Sequence, residues 1–140
     1  MKATAQASRV IPAKPEKVWD TLTSKAGMKA YMMGADVETD WKVGSPITMK
    51  GQFGGKPFED TGEVRSFEPG KCFSYTHQSG GQGQKHLVTV EVAPKDGGTE
   101  VVITQANADG SVTDADREHK AQYEKTWATM LEGVEKAVAN

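Results

Sequence analysis

The C-terminal segment constrains the fold most, because residues 114–138 read as one long amphipathic helix. The segment contains no proline, and Gly133 is its only glycine. Its large apolar residues recur at steps of three and four, which is one stripe of a helix with 3.6 residues per turn. They are Tyr123, Trp127, Met130, Leu131, Val134 and Val138. At 1.5 Å per residue this helix would be roughly 37 Å long. A helix of that length with one aromatic-rich stripe needs a broad apolar surface to lie on.

Length, charge and cysteine content limit the class of protein. A chain of 140 residues fits one domain, 1–140, with a hydrophobic core. The formal net charge of -2 supplies no basic excess for a phosphate backbone, so we expect no nucleic-acid partner. Cys72 is the single cysteine, which excludes an internal disulfide and indicates a reducing compartment. No apolar run has the length of a signal peptide or a membrane span, so we expect a cytoplasmic protein with no membrane span.

The segments before this helix read as a strand, two short helices and a run of strands. Residues 3–11 predict a strand, 15–23 predict a short helix, and a second short helix follows from a Ser24 cap to residue 33. From there on, short apolar alternations are separated by turn residues about every ten positions, as in an antiparallel meander. The predicted strands span 35–40, 46–54, 57–67, 71–78, 85–94 and 99–106.

This order of elements predicts an α+β fold. Strands that are grouped, and do not alternate with helices, argue against a doubly wound parallel sheet. A curved antiparallel sheet wrapped round the final helix would bury both apolar surfaces. Because a strongly curved sheet cannot touch a straight helix along its whole length, we expect a concave, mostly apolar space near the middle of the helix. Small-molecule sites have this character.

Short motifs along nearly the whole chain resemble one protein family. In chain order they are IPAKPEKVW at 11–19, WKVGSP at 41–46, GEV at 62–64 with FEP at 67–69, FSYTH at 73–77, TEV at 99–101 with ITQ at 103–105, and Trp127 with Met130-Leu131. Together they resemble the START-like (SRPBCC) superfamily, and within it the branch named after the activator of Hsp90 ATPase (AHSA-type). One departure is Lys29-Ala30-Tyr31, which stands where many relatives carry a tryptophan.

The resemblance implies a helix-grip fold, also called START-like or Bet v 1-like. In that fold about seven antiparallel strands grip a long C-terminal helix, two short helices follow the first strand, and a hydrophobic cavity lies between sheet and helix. Family members bind lipids, hormones and aromatic polyketides, and some relatives cyclise or hydrolyse such molecules. The resemblance therefore implies a fold more specifically than it implies an activity.

The candidate ligand-binding residues combine the helix stripe with strand residues expected on the concave face. They are Trp41, Met49, Phe73, Tyr75, His77, Tyr123, Trp127, Met130 and Leu131. For the aromatic and methionine stripe the alternative is plain hydrophobic core. For Trp41 the alternative is packing over the short helices instead of closing one end of the cavity.

His77 has two interpretations. An imidazole titrates near neutrality, so it could exchange a proton with a bound carbonyl compound, or it is a hydrogen-bonded histidine at a strand end. No acid stands at a diagnostic sequence spacing from it. Glu59, Asp60 and Glu63 could supply acids to a cavity, although charged strand residues more often face solvent. The spacing of the histidines and Cys72 matches no common zinc pattern, so we expect no metal, no other cofactor and assign no catalytic residue.

The glycine-rich stretch 79–83 predicts a flexible hairpin tip. It is not a phosphate loop, because no Lys-Ser/Thr pair and no helix follow it. We hypothesise that this tip gates the cavity.

Three functions fit these features. The first is a binding module, without enzymatic activity, that holds a small hydrophobic or aromatic molecule between sheet and helix, as a monomer or a homodimer. The second is an Hsp90-type co-chaperone or ATPase activator, which would use an outer surface and not the interior. The third is a polyketide cyclase-like or hydrolase-like enzyme, which needs paired acid/base groups in the cavity. A histidine beside a buried carboxylate in an open pocket would favour the third.

Overall fold

The computed structural model describes residues 3–32, 34–53, 55–79 and 85–139, and within them the predicted order of elements is confirmed. The elements are β1 (Ala3–Ile11), α1 (Pro15–Thr23), α2 (Lys25–Tyr31), β2 (Asp36–Glu38), β3 (Pro46–Phe53), β4 (Lys56–Glu68), β5 (Cys72–Ser79), β6 (His86–Lys95), β7 (Gly98–Asn107) and α3 (Asp114–Ala139). In this described part of the chain, no helix combines the length and apolar character that a membrane span requires.

The strands form one antiparallel sheet in the order β1-β7-β6-β5-β4-β3-β2. Strands β2 to β7 are a meander in which each pairs with the next, and β1 closes the other edge by pairing with β7. Alternation along the strands separates the two faces, since Val88, Val90 and Val92 are buried while Glu91 is exposed. The α+β helix-grip architecture is therefore confirmed.

A reciprocal capping box fixes the start of α3. Thr113 Oγ1 accepts a hydrogen bond from Asp116 N at 3.1 Å, and Asp116 Oδ2 accepts one from Thr113 N at 2.8 Å. The same carboxylate oxygen accepts a hydrogen bond from Asn107 Nδ2 at 2.7 Å. The pKa of Asp116 lies below its usual range, chiefly because its carboxylate accepts the hydrogen bond from the Thr113 backbone, and also because of the bonds with the Asn107 and Thr113 side chains. The cap thus ties the helix N-terminus to the last residue of β7.

The second half of α3 is anchored in the core. Leu131, Val134 and Val138 are buried there. Gly133 permits close contact with α2, because a Cβ at this position would stand 3.1 Å from the Cα of Tyr31. The helix is therefore held at its start by the cap and over its last turns by packing.

Two acidic side chains of α3 fasten it to the edge strand β1. Glu124 Oε2 accepts a hydrogen bond from the backbone N–H of Gln6 at 3.0 Å, and Glu135 pairs with Arg9 at 3.0 Å. The first of these contacts covers an N–H group that an edge strand would otherwise present to another chain.

The sheet changes geometry where β4 passes β5. Glu63 N donates to the side-chain Oγ1 of Thr76 at 2.9 Å, and the β4–β5 register then shifts by one residue between Val64 and Ser66. A Cβ at Gly62 would overlap the carbonyl oxygen of Thr76, so the two backbones approach here as only glycine allows. Such an irregularity bends the strands and increases their twist, which favours a concave sheet.

We expect Gly62→Ala to destabilise the protein by about 1–3 kcal/mol, because the added methyl group must push two paired backbones apart. The matched control is Thr61→Ala on the preceding, half-exposed position, for which we expect about 0.5 kcal/mol or less. Urea denaturation followed by circular dichroism measures both. Equal free energies of unfolding for the two variants would show that the close approach at Gly62 is not needed.

Candidate functional site

A cavity of about 350 Å³ lies between the concave face of the sheet and the middle of α3. This volume is within the range of about 300–1,000 Å³ typical of small-molecule sites. Its apolar lining is Met32, Ala35, Met49, Phe58, Val88, Trp127 and Met130. Its polar lining is Gln52, Asp60, Tyr75, His77, His86, Gln105, Tyr123 and Thr126. The site is thus a mostly apolar chamber whose polar groups come from strands β4 to β7, from Gln52 on β3 and from Tyr123 and Thr126 on α3.

Six of the nine candidate residues line this cavity, and three lie elsewhere. The six are Met49, Tyr75, His77, Tyr123, Trp127 and Met130. Trp41 is outside the lining because its positive φ of 62° turns it back over α1, where its Nε1 donates to the carbonyl oxygen of Thr23 at 3.0 Å. Of its two interpretations, the structure shows the packing over a short helix.

Phe73 and Leu131 belong to the packed core beside the cavity. Phe73 is fully buried, with the rings of Trp19 and Trp41 edge-on to it at centroid distances of 5.6 and 4.8 Å. Leu131 is buried on the core side of α3, one residue after Met130, which lines the cavity. The cavity therefore stops where these aromatic side chains fill the space under the helix.

An acid and a histidine meet in the cavity. Asp60 Oδ2 on β4 lies 2.8 Å from His77 Nε2 on β5, and their side chains are 17% and 25% exposed. Asp60 pairs with Ser79, two positions from His77, so the acid and the histidine are diagonal neighbours on adjacent strands. Because a carboxylate only accepts hydrogen bonds, Nε2 carries the proton and Nδ1 of a neutral ring carries the lone pair.

A second histidine faces the first across the sheet. His86 on β6 pairs directly with His77, and its Nδ1 is 3.5 Å from Gln105 Nε2. Gln105 Oε1 accepts a hydrogen bond from Trp127 Nε1 at 2.9 Å, which links the sheet to α3 along one side of the cavity. Burial, with a contribution from the neighbouring His77, lowers the pKa of His86. At neutral pH His86 is therefore an uncharged ring, and its Nε2 is a hydrogen-bond donor.

Tyr75 brings a hydroxyl group into the cavity without a protein partner. The residue is 2% exposed, and among the described residues none is within hydrogen-bond distance of its hydroxyl group. Burial raises the pKa of Tyr75 well above its usual value, so the phenol stays protonated. The buried Tyr31 provides a contrast, because its hydroxyl donates to the carbonyl oxygen of Leu22 at 2.7 Å.

Comparison with known proteins places the chain in a family. A family model described as "Activator of Hsp90 ATPase homolog 1-like protein" matches residues 12–139. The chain belongs to this family. The resemblance seen in the motifs is thereby confirmed. No curated protein sequence matches the chain.

Solved structures of similar fold support the assignment. The solution structure of ChR145 from Cytophaga hutchinsonii is 36% identical, covers 100% of this chain and 97% of its own, and has a TM-score of 0.75. The Aha1 dimer from Colwellia psychrerythraea is 23% identical over 96% of this chain and 94% of its own, with a TM-score of 0.71. The structure of Ara h 8.0201 shares the fold at 14% identity, over 96% and 95% of the two chains, with a TM-score of 0.71.

Five polar residues that line the cavity of this AHSA-type chain were not among the sequence candidates for ligand binding: Gln52, Asp60, His86, Gln105 and Thr126. Glu59 and Glu63 face solvent, as charged strand residues usually do, and they form surface ion pairs with Lys50 and Arg65 at 3.5 and 3.3 Å. His86 carried a usable signal. His77 and His86 stand at similar distances before and after the glycine-rich stretch 79–83, so a hairpin with its tip there pairs the two histidines directly.

Two further features concern only the part of the chain that the structure describes. No group of three or more His, Cys, Asp or Glu side chains in these ranges is arranged to hold a metal ion. Residues 80–83, which make up most of the hypothesised gate, lie outside the described ranges.

We expect the two buried tyrosines to respond differently to loss of the hydroxyl group. Tyr31→Phe leaves the Leu22 carbonyl group without its partner near the end of α1, which should cost about 1–2 kcal/mol. Tyr75→Phe removes no protein hydrogen bond, so its free energy of unfolding should stay within about 0.5 kcal/mol of the parent. Thermal and urea denaturation test this pair, and a large loss of stability in Tyr75→Phe would contradict the assignment of its hydroxyl group to the cavity.

Proposed function

We propose that this AHSA-type chain is a binding module for a small, mostly apolar molecule that carries at least one polar substituent. The molecule is held between the sheet and the middle of α3. The observation that carries the proposal is the cavity of about 350 Å³ lined by the buried residue Tyr75, whose hydroxyl group has no hydrogen-bond partner among the residues that the structure describes. A ligand acceptor in front of Tyr75 would satisfy that donor, and the apolar walls would take up the rest of the ligand.

The balance of the walls indicates how the ligand is recognised. Burial of apolar ligand surface stabilises the complex by roughly 25 cal/mol per Å² before ordering costs. The polar groups of the sheet, chiefly Tyr75, His77 and His86, orient the ligand instead of adding much affinity. Because the cavity is at the small end of the usual range, a flat molecule of about two fused rings is a suitable occupant.

The family description names a second candidate, activation of the Hsp90 ATPase. That activity would use an outer surface. Among the described residues, the exposed large hydrophobic side chains are Val10 and Val43, which lie on separate elements and form no apolar patch. The cavity therefore supports the binding proposal more directly. Its lining comes from one chain, so the proposal needs no particular oligomeric state.

We expect a tryptophan at the rim of the cavity to block binding. Thr126 lines the cavity, whereas Thr129 is exposed on the same helix outside it. Both hydroxyl groups donate to the carbonyl oxygen four residues earlier, at 3.1 and 3.0 Å, so Thr126→Trp and Thr129→Trp lose matching hydrogen bonds. Thr126→Trp should weaken binding of 2-naphthol, a flat two-ring molecule with one hydroxyl group, by about tenfold or more, while Thr129→Trp should not.

Isothermal titration calorimetry measures both affinities, and quenching of Trp127, which lines the cavity, gives an independent signal in the parent protein. A tenfold loss corresponds to about 1.4 kcal/mol. Equal affinities in the two variants, or no binding of 2-naphthol to the parent at millimolar concentration, would contradict the proposal.

A further inference from the structure

We propose that the cavity also catalyses proton transfer at a carbon atom next to a carbonyl group. In this proposal His77 is the general base, Asp60 positions it, and Tyr75 donates a hydrogen bond to the carbonyl oxygen as negative charge develops there. The inference rests on the proposed function, because the same cavity must first bind the ketone.

The hydrogen bond to Asp60 prepares His77 to act as a base. With Nε2 donating to Asp60 Oδ2 at 2.8 Å, the lone pair of the neutral ring is on Nδ1, the nitrogen that the carboxylate does not engage. When Nδ1 takes a proton, the adjacent carboxylate stabilises the imidazolium that forms. Both side chains are only partly exposed, and both line the cavity, so the proton transfer would occur in contact with the bound molecule.

Tyr75 supplies the other half of the reaction. It stays protonated because burial raises the pKa of its phenol, and its hydroxyl group makes no protein hydrogen bond within the described residues. Tyr75 and His77 are two positions apart on β5 and point to the same face, which places their backbones about 6.6 Å apart along the strand. A ketone whose oxygen meets Tyr75 can therefore direct its α-carbon towards His77.

The walls also indicate the class of substrate. Met49, Phe58, Trp127 and Met130 offer apolar surface for a ring system. No lysine or arginine is among the described residues that line the cavity, and the one carboxylate there is engaged by His77. These features favour an uncharged cyclic ketone over a phosphate, a carboxylate or a thioester of a large anionic carrier.

The step is balanced without a co-reactant. The C–H bond at the α-carbon breaks, its proton goes to His77 Nδ1, and its electron pair forms the C=C bond of an enolate whose oxygen accepts a hydrogen bond from Tyr75. The imidazolium then returns a proton to the same carbon or to a conjugated one. The net result is hydrogen exchange or isomerisation, and His86 is placed on the neighbouring strand as a neutral second donor.

Hydrogen–deuterium exchange into 2-tetralone tests the step directly. The proton signals at its α-carbons are followed by NMR in D2O at pD 8, where an ordinary imidazole is largely unprotonated. We expect saturable exchange above the buffer rate, inhibited by 2-naphthol, which has the same two-ring skeleton and resembles the enol. His77→Gln should lower the enzymatic rate by about 100-fold or more, and Tyr75→Phe by about 100-fold.

His119→Gln is the control for exchange by surface imidazole. His119 is exposed on α3 and is not part of the cavity lining, so this variant should exchange as fast as the parent. Affinity for 2-naphthol and the far-ultraviolet spectrum show whether each variant is folded. Tyr75→Phe keeps the test decisive if His77→Gln fails to fold, because it removes no protein hydrogen bond.

A separate readout tests Asp60 as a positioning residue. In Asp60→Asn the side-chain amide can donate to His77 Nε2, which would move the ring proton to Nδ1 and remove the lone pair from the cavity. Nitrogen-15 NMR of labelled histidine should show this change of tautomer together with a loss of exchange of about 100-fold. Loss of exchange without a change of tautomer would overturn the positioning role.

The two proposals fail in different ways. If 2-naphthol binds to the parent with the expected loss in Thr126→Trp, but 2-tetralone exchanges no faster than in buffer or equally fast with His77→Gln, the catalytic inference is overturned and the binding function stands. If neither molecule binds, both proposals are overturned.

Discussion

The cavity depends on one mechanical constraint, which is that a straight helix is fastened at both ends over a sheet that curves away from it. At its start, α3 is tied to β7 by the bonds of Asp116 with Thr113 and Asn107. Over its last turns it is packed through Leu131 and its neighbours. Between these ends, Glu124 accepts a hydrogen bond from Gln6 of β1 and Trp127 donates one to Gln105 of β7, which fix the distance of the middle of the helix from the sheet. The cavity is therefore a consequence of the fold, and side chains from the middle turns of α3 line it.

Five of the eight polar residues that line the cavity have a side-chain hydrogen bond within the described part of the protein: Asp60, His77, His86, Gln105 and Thr126. Gln105 accepts from Trp127 and approaches His86, while His77 pairs with Asp60. Each of these contacts joins two different elements, so the same bonds that satisfy the polar atoms also hold the walls in register. Among the described residues, the side chains of Gln52, Tyr75 and Tyr123 have no such partner, and Tyr75 is the buried one of the three. The Tyr75 hydroxyl group is not one of the fully buried polar atoms that lack a partner, so it opens into the cavity, where an acceptor atom of a bound molecule could receive its hydrogen bond.

How much the sequence could predict differed between the helix and the sheet. The helical side of the site could be predicted from the sequence, because the spacing of Tyr123, Trp127 and Met130 is a local pattern that places them on one stripe of the helix. The number and order of strands also followed from local alternation and turn residues. The sheet side required the register between strands. Asp60 and His77 are 17 positions apart, and they meet only because of how β4 pairs with β5 around an irregular stretch that no periodicity reveals. For Trp41 the sequence left two interpretations open, and the hydrogen bond of its Nε1 to the Thr23 carbonyl oxygen, which joins residues 18 positions apart, distinguishes them only in the structure.

The irregular stretch joins the fold to the chemistry. Gly62 lies where the backbones of β4 and β5 come too close for any side chain, and the neighbouring register shift bends the sheet into its concave shape. The atoms that a Cβ at Gly62 would meet are those of the Thr76 backbone and Ile47 Cγ2, so a larger residue there would push β4 away from β5. Asp60 and His77 are on these same two strands, with Asp60 paired to Ser79 two positions from His77. A change in the spacing of β4 and β5 would therefore alter the shape of the sheet and the contact between the acid and the histidine together.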